Sequence, residues 1–266
     1  MKLSISQKKQ FFDDGYLIIN NFFNQLEVGA MLKEMYCLIE NKHGRNVVVS
    51  GETINYQIQP LVNHSNLFRA LPYYSKVKDV VSVLIGIPYV RQIDQIFYKP
   101  SNIGAGTKWH TDNSYFGISD PTKGTGMWIA LHDASVLNGT MYIIPGGHNY
   151  DYSSEHQRDI DTDHLISFNP DDSKAVPVEV DAGGVLFFNY GIPHCTKENI
   201  TDTARAGCAY HFLREDYIDY ESYHHSGFES MEDLPVIAGP GSTGGMKEYG
   251  TLIEGTWEDE VIKVLN

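Results

Sequence analysis

After Pro88 the chain becomes a series of short apolar and aromatic runs broken by Gly, Pro, Asn and Asp. The runs are Gln92–Tyr98, Gly126–Leu131, Thr140–Ile144, Ala175–Val180, Gly184–Asn189 and Ala206–Phe212, with no helical pattern between them. Short strands in succession without intervening helices predict an antiparallel barrel or jelly roll. Asn138-Gly139 between two of these runs reads as a hairpin turn, because both residues tolerate positive φ.

The first 87 residues read differently. Ser6 is the expected N-cap of a short helix reaching Asp13 and ended by Gly15, followed by a β-prone run from Tyr16 to Ile19. Asn24 opens a second helix to about Asn41, with Leu26, Met31, Met35, Leu38 and Ile39 near helical spacing. Leu67 to Leu84 reads as a third helix, with Pro72 near its start and Gly86 closing it. The expectation is one domain: helical support over 1–87, a jelly-roll core over 88–214, and a tail or lid over 215–266. Within that tail, Gly239-Pro240-Gly241 and Gly244-Gly245 read as loop and Trp257–Leu265 as a last helix. A lid, an oligomer contact and a packed tail all remain open for it.

A chain of 266 residues is long enough to bury a substantial core as one unit. Its 34 acids against 20 bases give a formal charge of −14. Nucleic-acid binding is thereby disfavoured, since phosphate contacts need clustered Lys and Arg. Three cysteines without CxxC spacing (Cys37, Cys195, Cys208) suit a reducing compartment. Neither a signal-like apolar stretch at the start nor a run long enough to span a membrane is seen, so a cytoplasmic location is expected.

Trp109-His110-Thr111-Asp112 carries the chemistry. In an extended segment residues i and i+2 face the same way, so His110 and Asp112 can converge on one point. An imidazole with a carboxylate suits Fe(II), and a second histidine from a distant strand would complete a facial triad. Gly184-Val-Leu-Phe-Phe-Asn-Tyr-Gly-Ile-Pro-His194 supplies it: a buried strand and a Gly/Pro turn that delivers His194 at its end. Arg205 follows eleven residues later, where a guanidinium can clamp the distal carboxylate of 2-oxoglutarate through two parallel hydrogen bonds. Thr196 can add a hydroxyl to the same carboxylate. Asn113 and Tyr115, just after the metal motif, are candidate substrate contacts.

Taken together these segments resemble the phytanoyl-CoA dioxygenase family of Fe(II)/2-oxoglutarate oxygenases. The resemblance rests on Gln10-Phe-Phe-Asp-Asp-Gly-Tyr-Leu-Ile-Ile19, Phe97-Tyr-Lys-Pro100, Trp109–Phe116, Met127-Trp-Ile-Ala-Leu131, Asn138-Gly-Thr-Met-Tyr-Ile-Ile-Pro-Gly-Gly-His148 and the His194–Arg205 segment, over roughly residues 5–214. Gly147 stands where the family usually has Ser. The resemblance implies a double-stranded β-helix (jelly roll, cupin-like), mainly β with flanking helices. It also implies Fe(II), with 2-oxoglutarate and O2 as cosubstrates. By the same resemblance Trp128 and Thr111 would line the 2-oxoglutarate site, and Gln95 would face the cavity. Related halogenases carry a small residue at the position of Asp112; the carboxylate here favours hydroxylation.

Other polar residues receive structural expectations. His148 orders its loop, His132-Asp133 lack the spacing of a metal pair, His224-His225 are solvated, Glu155–Asp163 is an exposed loop near the cavity mouth, and Lys99 is read as a solvated strand end in preference to a cosubstrate contact. The function expected is hydroxylation of an aliphatic C–H of a small-molecule metabolite, with release of succinate and CO2. Partners are the small molecule alone, neither nucleic acid nor membrane, with a homo-oligomer left open. Desaturation, epimerisation or cyclisation at the same site, a 2-oxoglutarate-independent cupin enzyme, and a relic-site binding module stand as alternatives.

Overall fold

The computed structural model describes residues 1–49, 52–158, 166–218 and 234–266. Helix α1 (Ile5–Asp14) leads into strand β1 (Tyr16–Ile19) and helix α2 (Gln25–Glu40). A hairpin of β2 (Arg45–Val49) and β3 (Glu52–Ile58) precedes helices α3 (Asn66–Ala70) and α4 (Ser75–Ile85). Then come β4 (Tyr89–Lys99), β5 (Thr107–His110), the short helix α5 (Asn113–Phe116), β6 (Gly124–Ala130) and β7 (Met141–Ile143). They are followed by β8 (Gln157–Arg158), β9 (Ile166–Ser167), β10 (Val176–Val178), β11 (Val185–Asn189), β12 (His194–Thr196) and β13 (Arg205–Arg214). Strand β14 (Val236–Ala238) and helices α6 (Met246–Tyr249) and α7 (Trp257–Leu265) end the chain.

Two antiparallel sheets form a jelly roll. The major sheet runs β1-β11-β6-β13-β4-β3-β2, with β14 also paired to β4; the minor sheet runs β10-β7-β12-β5. Alternation along the strands explains why the central strands are buried throughout. On one face of the major sheet Met127, Ile129, Val185, Phe187, Cys208, Tyr210 and Phe212 join a core shared with the N-terminal helices. On the other face Trp128, Ala130, Leu186, Phe188 and Ala209 pack with Met141 and Ile143 of the minor sheet. Each strand thus serves two cores, one for each parity of its residues. The inward parity of β13 is therefore 205, 207, 209 and 211, matched in register by Lys99, Phe97, Gln95 and Ile93 of β4. Gly207 in this row is obligatory: a Cβ there would lie 2.3 Å from Nε1 of Trp128.

The helices follow their local chemistry, with corrections at three places. Helix α1 is capped by Ser4, not Ser6, in a capping box with Gln7, and Gly15 ends it at φ 84°. Asn24 caps α2 as expected, bonding the backbone N–H groups of Leu26 and Glu27. The single helix expected over 67–84 is two, because Pro72 has no N–H and its ring clashes with the preceding turn. A 3-10 turn (Leu71–Tyr73) and an extended Tyr74 separate α3 from α4. The Asn138-Gly139 hairpin is also corrected, since β6 and β7 lie in different sheets. Asn138 instead orders the crossing, accepting from the Ser135 N–H and donating to the Asp133 carbonyl.

Of the tail, residues 234–266 are packed. The Trp257 indole is fully buried and donates to Glu27 Oε1 at 2.7 Å, tying α7 to α2. His224, His225 and residues 159–163 lie outside the described residues. The three cysteines are free thiols. No helix among the described residues is long and apolar enough to cross a membrane.

Candidate metal centre

Strands β5 and β12 pair so that His110 and His194 stand opposite each other, and their rings come within 4.2 Å. Asp112 reaches the same point by a different route from simple strand alternation. Strand β5 ends at His110, and Asp112 has helical dihedrals (φ −63°, ψ −30°) as the N-cap of α5. The strand-to-helix turn aims its carboxylate back, with Oδ1 3.6 Å from His194 Nε2 and 4.0 Å from His110 Nε2. One ligand atom from each of the three residues lies within 4.8 Å of the others, the only such cluster among the described residues.

Both imidazoles are oriented from behind. His110 Nδ1 lies 2.8 Å from the Lys108 carbonyl, and His194 Nδ1 lies 3.1 Å from the Ile192 carbonyl. Donation from each Nδ1–H leaves Nε2 as a lone pair facing inward. Burial holds both histidines below the usual imidazole range, His194 at about 4 with His110 beside it adding to the effect. Burial would raise the Asp112 carboxyl, but His211, His194 and His110 together outweigh it and bring it to about 2. The centre therefore presents one carboxylate and two neutral imidazoles, a donor set suited to a divalent transition metal.

A second feature sits on the major sheet. Arg205 and Lys99 are direct cross-strand partners, and only 2% and 3% exposed. Lys99 donates to Thr196 Oγ1 at 2.9 Å and to the Lys197 carbonyl. Arg205 donates through Nη2 to the Gly139 carbonyl and lies 5.4 Å from the Trp128 ring. No carboxylate among the described residues pairs with either, and Arg205 Nε has no partner there. Burial, with Arg205 opposite, pushes the Lys99 amine down to about 6; burial brings Arg205 to about 10. Like charges directly opposite in a sheet are destabilising, and the lowered Lys99 value means that the amine sheds its proton instead of facing Arg205 as a second cation. Lys99 is thus no solvated strand end, contrary to expectation; the minor sheet and the 197–199 loop cover it.

The other predicted residues divide. Trp128 faces inward under Arg205. Gln95 also faces inward, its Oε1 accepting from Gln57 Nε2 at 2.8 Å. Thr111 is turned to His156, 3.3 Å from its Nε2, and lines a cavity of about 410 Å³ with Asn113, His148, Tyr152 and His156. Asn113 spends its carboxamide on Ile118, at 3.1 and 3.2 Å, closing the turn after α5. The Tyr115 hydroxyl takes the Ile166 N–H at 2.9 Å, while its ring stands edge-on to His110. His132 is structural, accepting from the Ala206 N–H through Nδ1. His148 packs where α1 ends, against Gly15.

Sequence reasoning missed His211, Gln57 and the burial of Lys99. Counting by twos along β13 from Arg205 reaches His211, and along β4 from Gln95 reaches Lys99. Nothing comparable marks Gln57, whose strand was not anticipated.

A family model described as phytanoyl-CoA dioxygenase matches residues 11–207. A rat protein named phytanoyl-CoA dioxygenase domain-containing protein 1 is 26% identical, the match covering 79% of this chain and 90% of that one. Among solved structures, the non-heme alpha ketoglutarate dependent carbocyclase SnoK from nogalamycin biosynthesis superposes with a TM-score of 0.68 at 21% identity, covering 80% of this chain and 85% of that one. EctD from S. alaskensis, solved with 2-oxoglutarate and 5-hydroxyectoine, gives 0.65 at 21% identity, with 81% and 78% covered.

Proposed function

Because the chain belongs to the phytanoyl-CoA dioxygenase family, we propose that it is an iron(II)- and 2-oxoglutarate-dependent oxygenase hydroxylating an aliphatic C–H of a small-molecule metabolite, with release of succinate and CO2. The observation that carries this reading is the buried pair of Arg205 and Lys99, opposite each other with no carboxylate between them. A distal carboxylate bound there would favour the Lys99 ammonium and satisfy the idle guanidinium N–H, with Thr196 as a third donor.

His110, Asp112 and His194 would hold the metal. With three protein donors, a bound metal would keep room for the cosubstrates. Bound iron with 2-oxoglutarate supplies the oxidising chemistry, which no side chain here can provide. The chain's own part is to bind and orient. Phe188, 4.8 Å from the His194 ring, and Trp128 keep the space between the sheets apolar. Asp112 keeps a carboxylate where a halide would need room. Gln95, with Gln57 behind it, offers hydrogen bonds to a polar substrate, whereas Asn113 and Tyr115 shape the wall beside His110.

The metal-free chain, loaded anaerobically with Fe(II), should develop a visible charge-transfer band on adding 2-oxoglutarate. A succinate-release screen over small metabolites then finds the substrate, and the product's structure separates hydroxylation from cyclisation, epimerisation or desaturation. No band and no succinate with any metabolite would refute the proposal in favour of a plain cupin or a binding module.

A further inference from the structure

His110 and His194 are each steadied by the backbone carbonyl two residues earlier. Asp112 has no such support: its Oδ2 is buried and has no hydrogen-bond partner by strict geometry among the described residues. What faces that oxygen is Nδ1 of His211, 3.3 Å away, itself buried and without another partner. The separation is about 0.1 Å beyond the usual N–H···O range. We infer that His211 is the positioning residue of Asp112, engaging Oδ2 so that the carboxylate meets the metal through Oδ1 alone. This rests on the metal reading above.

Three features favour the role. His211 ends the inward row of β13, and β4 carries one extra residue, Gln92, opposite the step from His211 to Phe212. Such bulges beside active sites re-aim a side chain. The imidazole is also caged by aromatic rings, with centroids of Phe116, Tyr190 and Phe188 at 5.2, 5.9 and 6.5 Å. These rings crowd the imidazole, and apolar surroundings strengthen a hydrogen bond formed among them. Finally, His211 stands outside the group of three ligand atoms that could share an ion. It approaches the oxygen turned away from the imidazoles.

The consequence is a coordination count. With Asp112 binding through one oxygen, three protein donors leave three places, enough for a bidentate oxoacid and dioxygen. A carboxylate free to bind through both oxygens would leave two, and one reactant would be shut out.

The test is Co(II) binding to the metal-free chain, followed by the visible d–d spectrum, for three variants. In His211→Phe the ring remains without a donor; His211→Asn places an amide N–H where Nδ1 stood; His211→Gln places it where Nε2 stood. Loss of an outer partner typically costs 10–100-fold in metal affinity. His211→Phe and His211→Gln should lose that much, with the band shifting towards higher coordination number, and His211→Asn should recover most of the loss. Wild-type affinity and spectrum in His211→Phe, or a His211→Asn as weak as His211→Gln, would overturn the inference. If His211→Phe fails to fold by far-UV circular dichroism, the Asn and Gln pair still decides. In an Asp112→Ala background, His211→Phe should add nothing further. The metal reading fails separately: the wild type would then bind no Co(II), or Asp112→Ala would bind it equally well.

Discussion

Raising the pH should loosen 2-oxoglutarate, and Lys99→Met should remove that dependence. In the ligand-free chain burial and Arg205 bring the Lys99 amine to about 6, against its ordinary 10.5. A carboxylate bound beside Lys99 favours the ammonium, so above pH 6 binding must take up a proton. Linkage then weakens binding by up to tenfold, about 1.4 kcal/mol, per pH unit until the amine's value in the complex is reached. Between pH 6.5 and 8.5 the dissociation constant should rise roughly tenfold to a hundredfold. Arg205, near 10, stays charged across this window, so binding weakens without vanishing. The same group affects the free fold. Its folded value lies below its unfolded one, so the unfolded chain binds the extra proton between about 6 and 10.5. Stability of the free chain is therefore lost as pH falls through that window. Anaerobic titration calorimetry of the metal-loaded chain in two buffers of different ionisation enthalpy reads the proton uptake directly. Equal affinities at pH 6.5 and 8.5, or the same slope in Lys99→Met, would refute the reasoning.

Asp112→Ala and His194→Ala should each abolish succinate production and reduce bound iron after gel filtration; turnover surviving both would exclude the triad. Arg205→Ala should raise the 2-oxoglutarate requirement by about 2–3 kcal/mol, the scale of charge-assisted hydrogen bonds, while leaving iron content near wild type. An unchanged requirement removes its clamp role. Trp257→Phe strips the buried Glu27 of its indole partner and should cost about 1–3 kcal/mol in chemical denaturation; an unaltered midpoint would mean that α7 is not held by this bond.

The sequence was informative where one residue type has one reading. His110, Asp112, His194 and Arg205 stand out because neutral imidazoles, a carboxylate and a guanidinium have distinctive chemistry, and the run-and-turn rhythm after Pro88 foretells the jelly roll. What escaped were properties conferred by partners distant in sequence. Lys99 looks exposed at the end of its run, and becomes buried only because Thr196 and the Lys197 carbonyl arrive from β12. Asn138-Gly139 has hairpin chemistry, but the strands flanking it belong to opposite sheets. Asp112 was expected to converge by extended alternation, yet it sits in a helical cap. Strand β3, without clear alternation, gave no hint that Gln57 would meet Gln95.

The division of labour between the sheets has a mechanical side. His110 and His194 belong to the minor sheet, with Asp112 in the turn leaving it, while Arg205, Lys99 and His211 project from the major one. A metal with its oxoacid would therefore act as a rivet through both layers. Loosening the layers by truncating Ile143 or Phe188 in the core between them would show first as lost grip on the cosubstrate, at temperatures where each sheet is still intact.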